Sequence, residues 1–356
     1  MAKYSLSRIS SFLEAFEGEE IHVGIDVHKL SYSVAIRRSD GACDTWVAPA
    51  KPYELVHTFL EFGTPIGCIA YEAGPTGFAL ARALEEAGLT CIVAAPNKIP
   101  RPVSPGSKTD RLDCIKLADY AAKGMLKSIA IPTSQEEAER SLLRRRFQLV
   151  DELKRTKLRI KSLLLVMGVD EPAGLAKWSK GSVQDLSVIQ LEPVAKLTLD
   201  SHLRELKWVQ QELCEVMVSL RGLAESERHK EAMNRIMSIV GVGITVALAF
   251  RLELFRPERF NRQEEVTSYL GLSPTVRYSG DKSPRGRLVP VGQKRLRSLL
   301  VEAAWMWQGK VPEVKARYNQ LLSRTGIPQK AIAAIARRLA VALWRLSLPV
   351  RQFQTT

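Results

Sequence analysis

The 356-residue sequence predicts an α/β domain joined to an all-α region. Three observations carry that expectation. Up to residue 130, short β-branched and apolar runs alternate with helical stretches, the pattern of a layered α/β domain. From Gln135 the apolar residues switch to heptad spacing. From residue 231 the pattern stays helical and becomes strongly basic. The expected organisation is a lead-in over 1–20, an α/β domain over 21–130, a coiled-coil helical spacer over 135–230 and a C-terminal helical domain over 231–356.

Residues 1–20 read as a polar, partly helical lead-in. IHVGIDV (21–27) is rich in β-branched residues, SYSVAIRR (31–38) alternates, and Asp40-Gly41 marks a turn before DTWVAP. A short helix is expected over Tyr53–Phe62, a buried strand over IGCIAYEA (66–73), and a helix over Thr76–Ala87 that stops at Gly88, a natural C-terminal cap. TCIVAAP (90–96) reads as another strand. A loop rich in Pro, Gly and Lys then runs to Lys108, and a helix starts near Asp110 and continues past Tyr120. Three strands, a helix, then alternating strand and helix is the order of a ribonuclease-H-like domain, and other α/β folds share that alternation.

In the spacer, Leu149, Leu153, Thr156, Ile160, Leu163 and Met167 form one seam. Leu199, Leu203, Leu206, Gln210, Leu213, Met217 and Leu220 form a second. Two such helices can pair within one chain or join two protomers. Beyond them, MSIVGVGITVALAFR (237–251) resembles a helix-hairpin-helix, in which Gly241 and Gly243 would let backbone N–H groups approach a DNA phosphate. A plain helix–helix turn fits the same residues. Lys294 to Leu346 reads as helical, with basic positions on an Ala- and Leu-rich scaffold.

The net charge of +14 is unevenly placed. Residues 251–356 hold 20 Lys and Arg against 7 Asp and Glu, whereas the preceding 250 residues are nearly neutral. A concentrated basic third points to a polyanionic partner, a nucleic acid or a membrane surface. The five cysteines are scattered with no CxxC pair, which argues against a zinc ribbon or a secreted disulfide framework and fits a reducing cytoplasm. The N-terminus lacks the apolar core of a signal peptide, and the longest apolar run, Ile239 to Phe250, is too short to span a bilayer, so no membrane partner is expected.

Four carboxylates stand out by position: Asp26 and Glu72 at the ends of two predicted strands, and Asp110 and Asp113 on one face at the start of a helix. If the strands are parallel neighbours and the helix crosses their ends, the four converge. Converging carboxylates repel unless cations hold them. Mg²⁺ (or Mn²⁺) suits such oxygen ligands, and would bridge them to a phosphate. Taken singly, each acid is equally a cap, a turn residue or solvated surface. The five histidines, His28 beside Asp26 among them, are read as surface or packing residues. No GxSxG elbow and no P-loop occurs. The second chemical stretch is Tyr269 to Arg297. A Ser279-Gly280 turn there stands among Arg277, Lys282, Arg285, Arg287, Lys294, Arg295 and Arg297, and Lys108 adds a cation ahead of Asp110. A hydroxyl ringed by cations is placed to meet a phosphodiester. A loop that only grips phosphate has the same composition.

GIDVHK (24–29), YEAGPTGF (71–78) and SKTDRLDCIKLA (107–118) resemble the DEDD motifs of one class of insertion-sequence transposase. VGVGITVALAF (240–250) and YLGLSPTVRYSG (269–280), followed by Leu296-Arg297, resemble that class's C-terminal transposase domain. From about residue 20 to 350 the sequence is similar to the serine-using, bridge-RNA-guided recombinases, of which the pilin-gene invertase is a relative. The resemblance implies a RuvC-like N-terminal domain, with Asp26, Glu72, Asp110 and Asp113 as a metal-holding catalytic tetrad and Ser279 as the nucleophile. It further implies a covalent phosphoserine intermediate with DNA, and a structured non-coding guide RNA that pairs with the target and with the element ends. It implies a homo-oligomer, dimer or tetramer, whose composite sites draw tetrad and serine from different protomers. The setting would be bacterial or archaeal cytoplasm, at the nucleoid. The sequence departs from the family pattern at LVPVGQ (288–293), where a segment like ITKAGN is usual. Three readings remain open: a serine recombinase, a metal-dependent junction-resolving nuclease in which water attacks, and a non-catalytic nucleic-acid binding protein.

Overall fold

The computed structural model describes residues 2–14, 20–100, 110–274, 288 and 292–349. The chain divides into two compact units, Met1–Thr133 and Ser134–Thr356.

The first unit runs α1 (Ala2–Glu14), β1 (Ile21–Val27), β2 (Ser31–Arg37), β3 (Cys43–Pro49), α2 (Pro52–Leu60), β4 (Ile66–Glu72), α3 (Ala79–Glu86), β5 (Cys91–Ala94) and α4 (Asp110–Ala122). One five-stranded sheet results, in the order β3-β2-β1-β4-β5. β1 pairs antiparallel with β2 and β2 with β3, whereas β1–β4 and β4–β5 are parallel. The strands sit where their periodicity places them. α3 begins three residues later than expected, because Gly74-Pro75 and Gly77, at φ +74°, shape a turn first.

The period of two sorts the sheet's side chains by size. Ile21, Val23, Ile25, Val34, Ile36, Ile69, Tyr71 and Val93 form one apolar face, packed with Leu55, Val56 and Phe59 of α2 and Leu80 and Leu84 of α3. Ile9 and Leu13 of α1 join this core, 0% and 4% exposed, so the N-terminal stretch read as a lead-in is part of the domain. The other face is floored by small residues. Gly24 lies between Ala35 of β2 and Ala70 of β4 in register, and α4 covers them with Cys114, Leu117, Ala118 and Ala121.

The second unit is helical: α5 (Ser134–Val166), α6 (Lys180–Val188), α7 (Pro193–Glu225), α8 (Lys230–Met237), α9 (Ile244–Leu254), α10 (Gln263–Tyr269), α11 (Lys294–Lys310), α12 (Pro312–Thr325) and α13 (Pro328–Ser347). α5 and α7 pair within the chain. Their order is antiparallel, since Arg159 meets Glu205 while Arg146 meets Met217. Leu149, Thr156, Ile160, Leu199, Leu206 and Leu220 of the two seams are buried, while Met167 and Gln210 at seam positions are exposed. Leu143, Phe147, Leu220 and Ala224 belong to the same core as Phe250, Leu300 and Leu339, so the spacer helices and the C-terminal helices share one interior.

Buried ion pairs reinforce that continuity. Glu253 of α9, 5% exposed, receives Arg140 at 3.1 Å and Arg144 at 3.3 Å from α5. Glu136 takes Arg228 and Arg256, each at 3.1 Å. Glu139 takes Arg228 at 3.1 Å and shares a hydrogen bond with the His229 ring at 3.2 Å.

Candidate functional site

Asp26 sits two residues beyond Gly24 on β1 and therefore faces the same side of the sheet, the side that α4 covers. A Cβ on Gly24 would come within 2.1 Å of the Cys114 carbonyl oxygen and 2.3 Å of the Ala118 nitrogen, so glycine is what lets α4 cross β1 so closely. Asp110 lies one turn before that crossing and Asp113 directly precedes Cys114, both in the first turn of α4. Glu72 ends β4, one residue past the paired Ile25–Tyr71, and is turned by the strand's alternation to the α4 side as well.

Of these acids, Asp26 and Asp110 come closest to sharing a site, and His28 joins them. One ligand atom each from Asp26, His28 and Asp110 lies within 4.8 Å of the others. The Nε2 of His28 is 3.0 Å from Asp26 Oδ2 and 3.4 Å from Asp110 Oδ2. The ring reaches the acids because β1 has ended at Val27, and the His28 N–H donates to the Ser31 carbonyl at 3.0 Å across the hairpin. His28 is exposed, as the surface reading expected, and its ring also contacts both acids. The Asp-Val-His spacing at the end of a strand was the signal that could have found it. Asp113 pairs with Lys116 at 3.4 Å and, with Glu72, stands outside the close group.

Burial raises the Asp26 carboxyl above its usual range. His28 opposes the shift, and the charges of Asp110 and Asp113 add to it. A half-buried carboxylate crowded by two others and by an imidazole is a donor set that a divalent cation would relieve. The residues present therefore fit Mg²⁺ or Mn²⁺, with Asp26, His28 and Asp110 as the nearest ligands and Glu72 and Asp113 flanking them.

Lys108, Arg277, Ser279, Lys282, Arg285 and Arg287 lie outside the described residues. The stem from which residues 275–287 depart is described. Pro274 bridges to Leu288. Gly292, at φ +89°, packs so tightly that a Cβ would meet the Tyr269 carbonyl oxygen at 2.5 Å and the Gly271 nitrogen at 2.7 Å. Arg297 donates to the Gly271 carbonyl at 3.2 Å, and Arg337 donates to that of Leu272 at 2.9 Å. Arg297, partly exposed, thus helps tie the stem together. Lys294 and Arg295 line a cavity of about 550 Å³ with Arg146 and Lys154, and Arg295 pairs there with Asp151.

Gly241 is spent on packing. At φ +90° it abuts α11, with the Met306 Cβ at 2.9 Å and the Ala303 carbonyl oxygen at 3.1 Å from where its own Cβ would be. Gly243 is exposed, and caps the N-terminus of α9. Among the described residues no helix is long and apolar enough to cross a membrane, and all five cysteines are free.

Two family models match the chain. Residues 23–168 match the DEDD transposase domain of IS110 type, and residues 233–319 match the Transposase IS116/IS110/IS902 family. The y4qE protein of Sinorhizobium fredii is 28% identical, over 97% of this chain and 91% of its own. The transposase for insertion sequence element IS1533 of Leptospira borgpetersenii is 26% identical, over 80% of this chain and 85% of its own. The transposase for element IS1111A of Coxiella burnetii is 24% identical, over 79% and 78%.

Proposed function

We propose, for a chain that carries the DEDD and C-terminal domains of an IS110/IS116 family transposase, that it cuts and rejoins DNA through a phosphoserine intermediate formed on Ser279, guided by a structured RNA. One observation carries the metal-assisted part of the reading: Asp26 and Asp110, from a strand and a helix far apart in sequence, meet with His28 at the end of β1. The serine and guide-RNA parts rest on the resemblance of residues 240–297 to the family's C-terminal domain. The sheet order, three antiparallel strands followed by two parallel ones, supports a ribonuclease-H-like, RuvC-like domain.

Asp26, His28 and Asp110, with Glu72 and Asp113 flanking them, would hold a divalent cation, which when bound polarises the scissile phosphate and favours loss of a proton from a nearby hydroxyl. Ser279 Oγ attacks the phosphorus, the bond to the 3′ oxygen breaks, and the proton leaving the serine ends on that oxygen. The freed 3′ hydroxyl of another strand then attacks the phosphoserine and releases Ser279, so one phosphodiester replaces another with no nucleotide hydrolysed. The cations around Ser279 neutralise the substrate's phosphates. The guide RNA would be read through duplex shape and backbone charge.

The test is a suicide DNA substrate that prevents religation. Wild-type protein should give a covalent protein–DNA adduct and Ser279→Ala none. Equal adducts from both, or hydrolysed ends without an adduct from the wild type, would remove the serine role and leave water as the nucleophile.

A further inference from the structure

α10, α11, α12 and α13 line an open cavity of about 760 Å³. Its wall carries Arg317, Arg337, Arg338 and Arg345, with Trp307 alongside and Ser273 and Pro274 at one side. Glu264 is the only carboxylate among the described lining residues. Arg338 and Arg345 are exposed and make no ion pair among the described residues, so their charge is directed at whatever enters. They are seven residues apart on α13, hence on one face and about 10 Å apart along the helix axis. All four lie in the basic third, C-terminal to the stretch Tyr269 to Arg297.

We propose that this cavity binds a single DNA strand. Its volume is of the order of a small-ligand site, which takes a nucleotide or two of one strand and excludes a duplex. Unpaired arginines beside a half-buried indole are the combination that holds single strands, the cations along the backbone and the ring against a base. The matched transposase families make DNA the occupant. This choice rests on the proposed function.

The experiment measures binding of the full-length protein to a fluorescent 12-nucleotide DNA strand, and to RNA and duplex of the same length, across a salt series. The double variant Arg338→Ala, Arg345→Ala should bind the DNA strand about tenfold more weakly, with the slope of log affinity against log salt reduced by about 1.4, the value for two lost single-strand phosphate contacts. A charge-matched control, Arg221→Ala with Lys230→Ala on exposed positions of α7 and α8, should stay within twofold of wild type. Wild-type protein irradiated with 5-iodouracil-substituted DNA strand should crosslink at Trp307, a readout that depends on no variant. The proposal is overturned if the double variant binds the strand as the control does, if RNA is bound more tightly at this wall, or if Trp307 is never crosslinked. Failure of the Ser279 assignment shows separately, as an adduct that persists in Ser279→Ala, because that variant keeps its strand affinity whichever way the adduct experiment falls.

Discussion

Adding a Cβ to Gly24 would place it 2.1 Å from the Cys114 carbonyl oxygen, against backbone that has no rotamer to move out of the way. Gly24→Ala should therefore lift α4 from the sheet. The expected cost is about 1–3 kcal/mol, the range for overpacking a filled interior, read as a lower thermal midpoint. Mn²⁺ binding measured by calorimetry should weaken in the same variant, because Asp110 rides on α4 while Asp26 stays on β1. His28→Ala tests the imidazole separately. It should lower Mn²⁺ affinity more than Mg²⁺ affinity, since nitrogen donors suit the transition metal while magnesium keeps to oxygen. Equal losses for the two metals would assign His28 to positioning the carboxylates alone.

At the scale of elements, the buried acids between α5, α8 and α9 hold the spacer helices onto the C-terminal ones. Glu253→Ala leaves Arg140, with a side chain 13% exposed, without its anion. The half-exposed Arg144 can turn to solvent, so the loss should fall near the lower end of the ~3–5 kcal/mol typical of a broken buried pair, measured by urea unfolding. His229 adds a pH dependence. Burial holds it below the usual histidine range, against the pull of Glu139 and with Arg251 and Arg228 adding to the shift. The unfolded chain takes up a proton near pH 6.5 that the folded chain resists. The stability tied to the neutral ring is thus full above about pH 6.5 and is lost as pH falls toward the depressed folded value. His229→Gln should therefore lose less thermal stability than the wild type between pH 7.5 and 5.5.

For the whole molecule, the acids and the basic, serine-bearing stretch belong to different compact units. If working sites are assembled between copies, a mixture of Asp26→Asn and Ser279→Ala proteins should recover part of the strand exchange that each lacks alone. A site assembled within one chain predicts no recovery. The readout is joined product from a paired donor and target DNA.

The strands, the two long helices and the basic third were legible because each is written in neighbouring residues: a period of two, a period of seven, a local density of charge. The approach of Asp26 to Asp110 was legible through motif and spacing, whereas Glu72 and Asp113 stand outside the close group. What only the tertiary structure decided are matches between distant residues. Gly24, Ala35 and Ala70 share a floor because strand register aligns them. His28 turns onto Asp26 and Asp110 because β1 ends where α4 begins its crossing. Arg317, Arg338 and Arg345 face one cavity because Gly326 and Pro328 fold α12 back against α13. Such matches depend on steric fit between elements, which leaves no periodic trace along the chain.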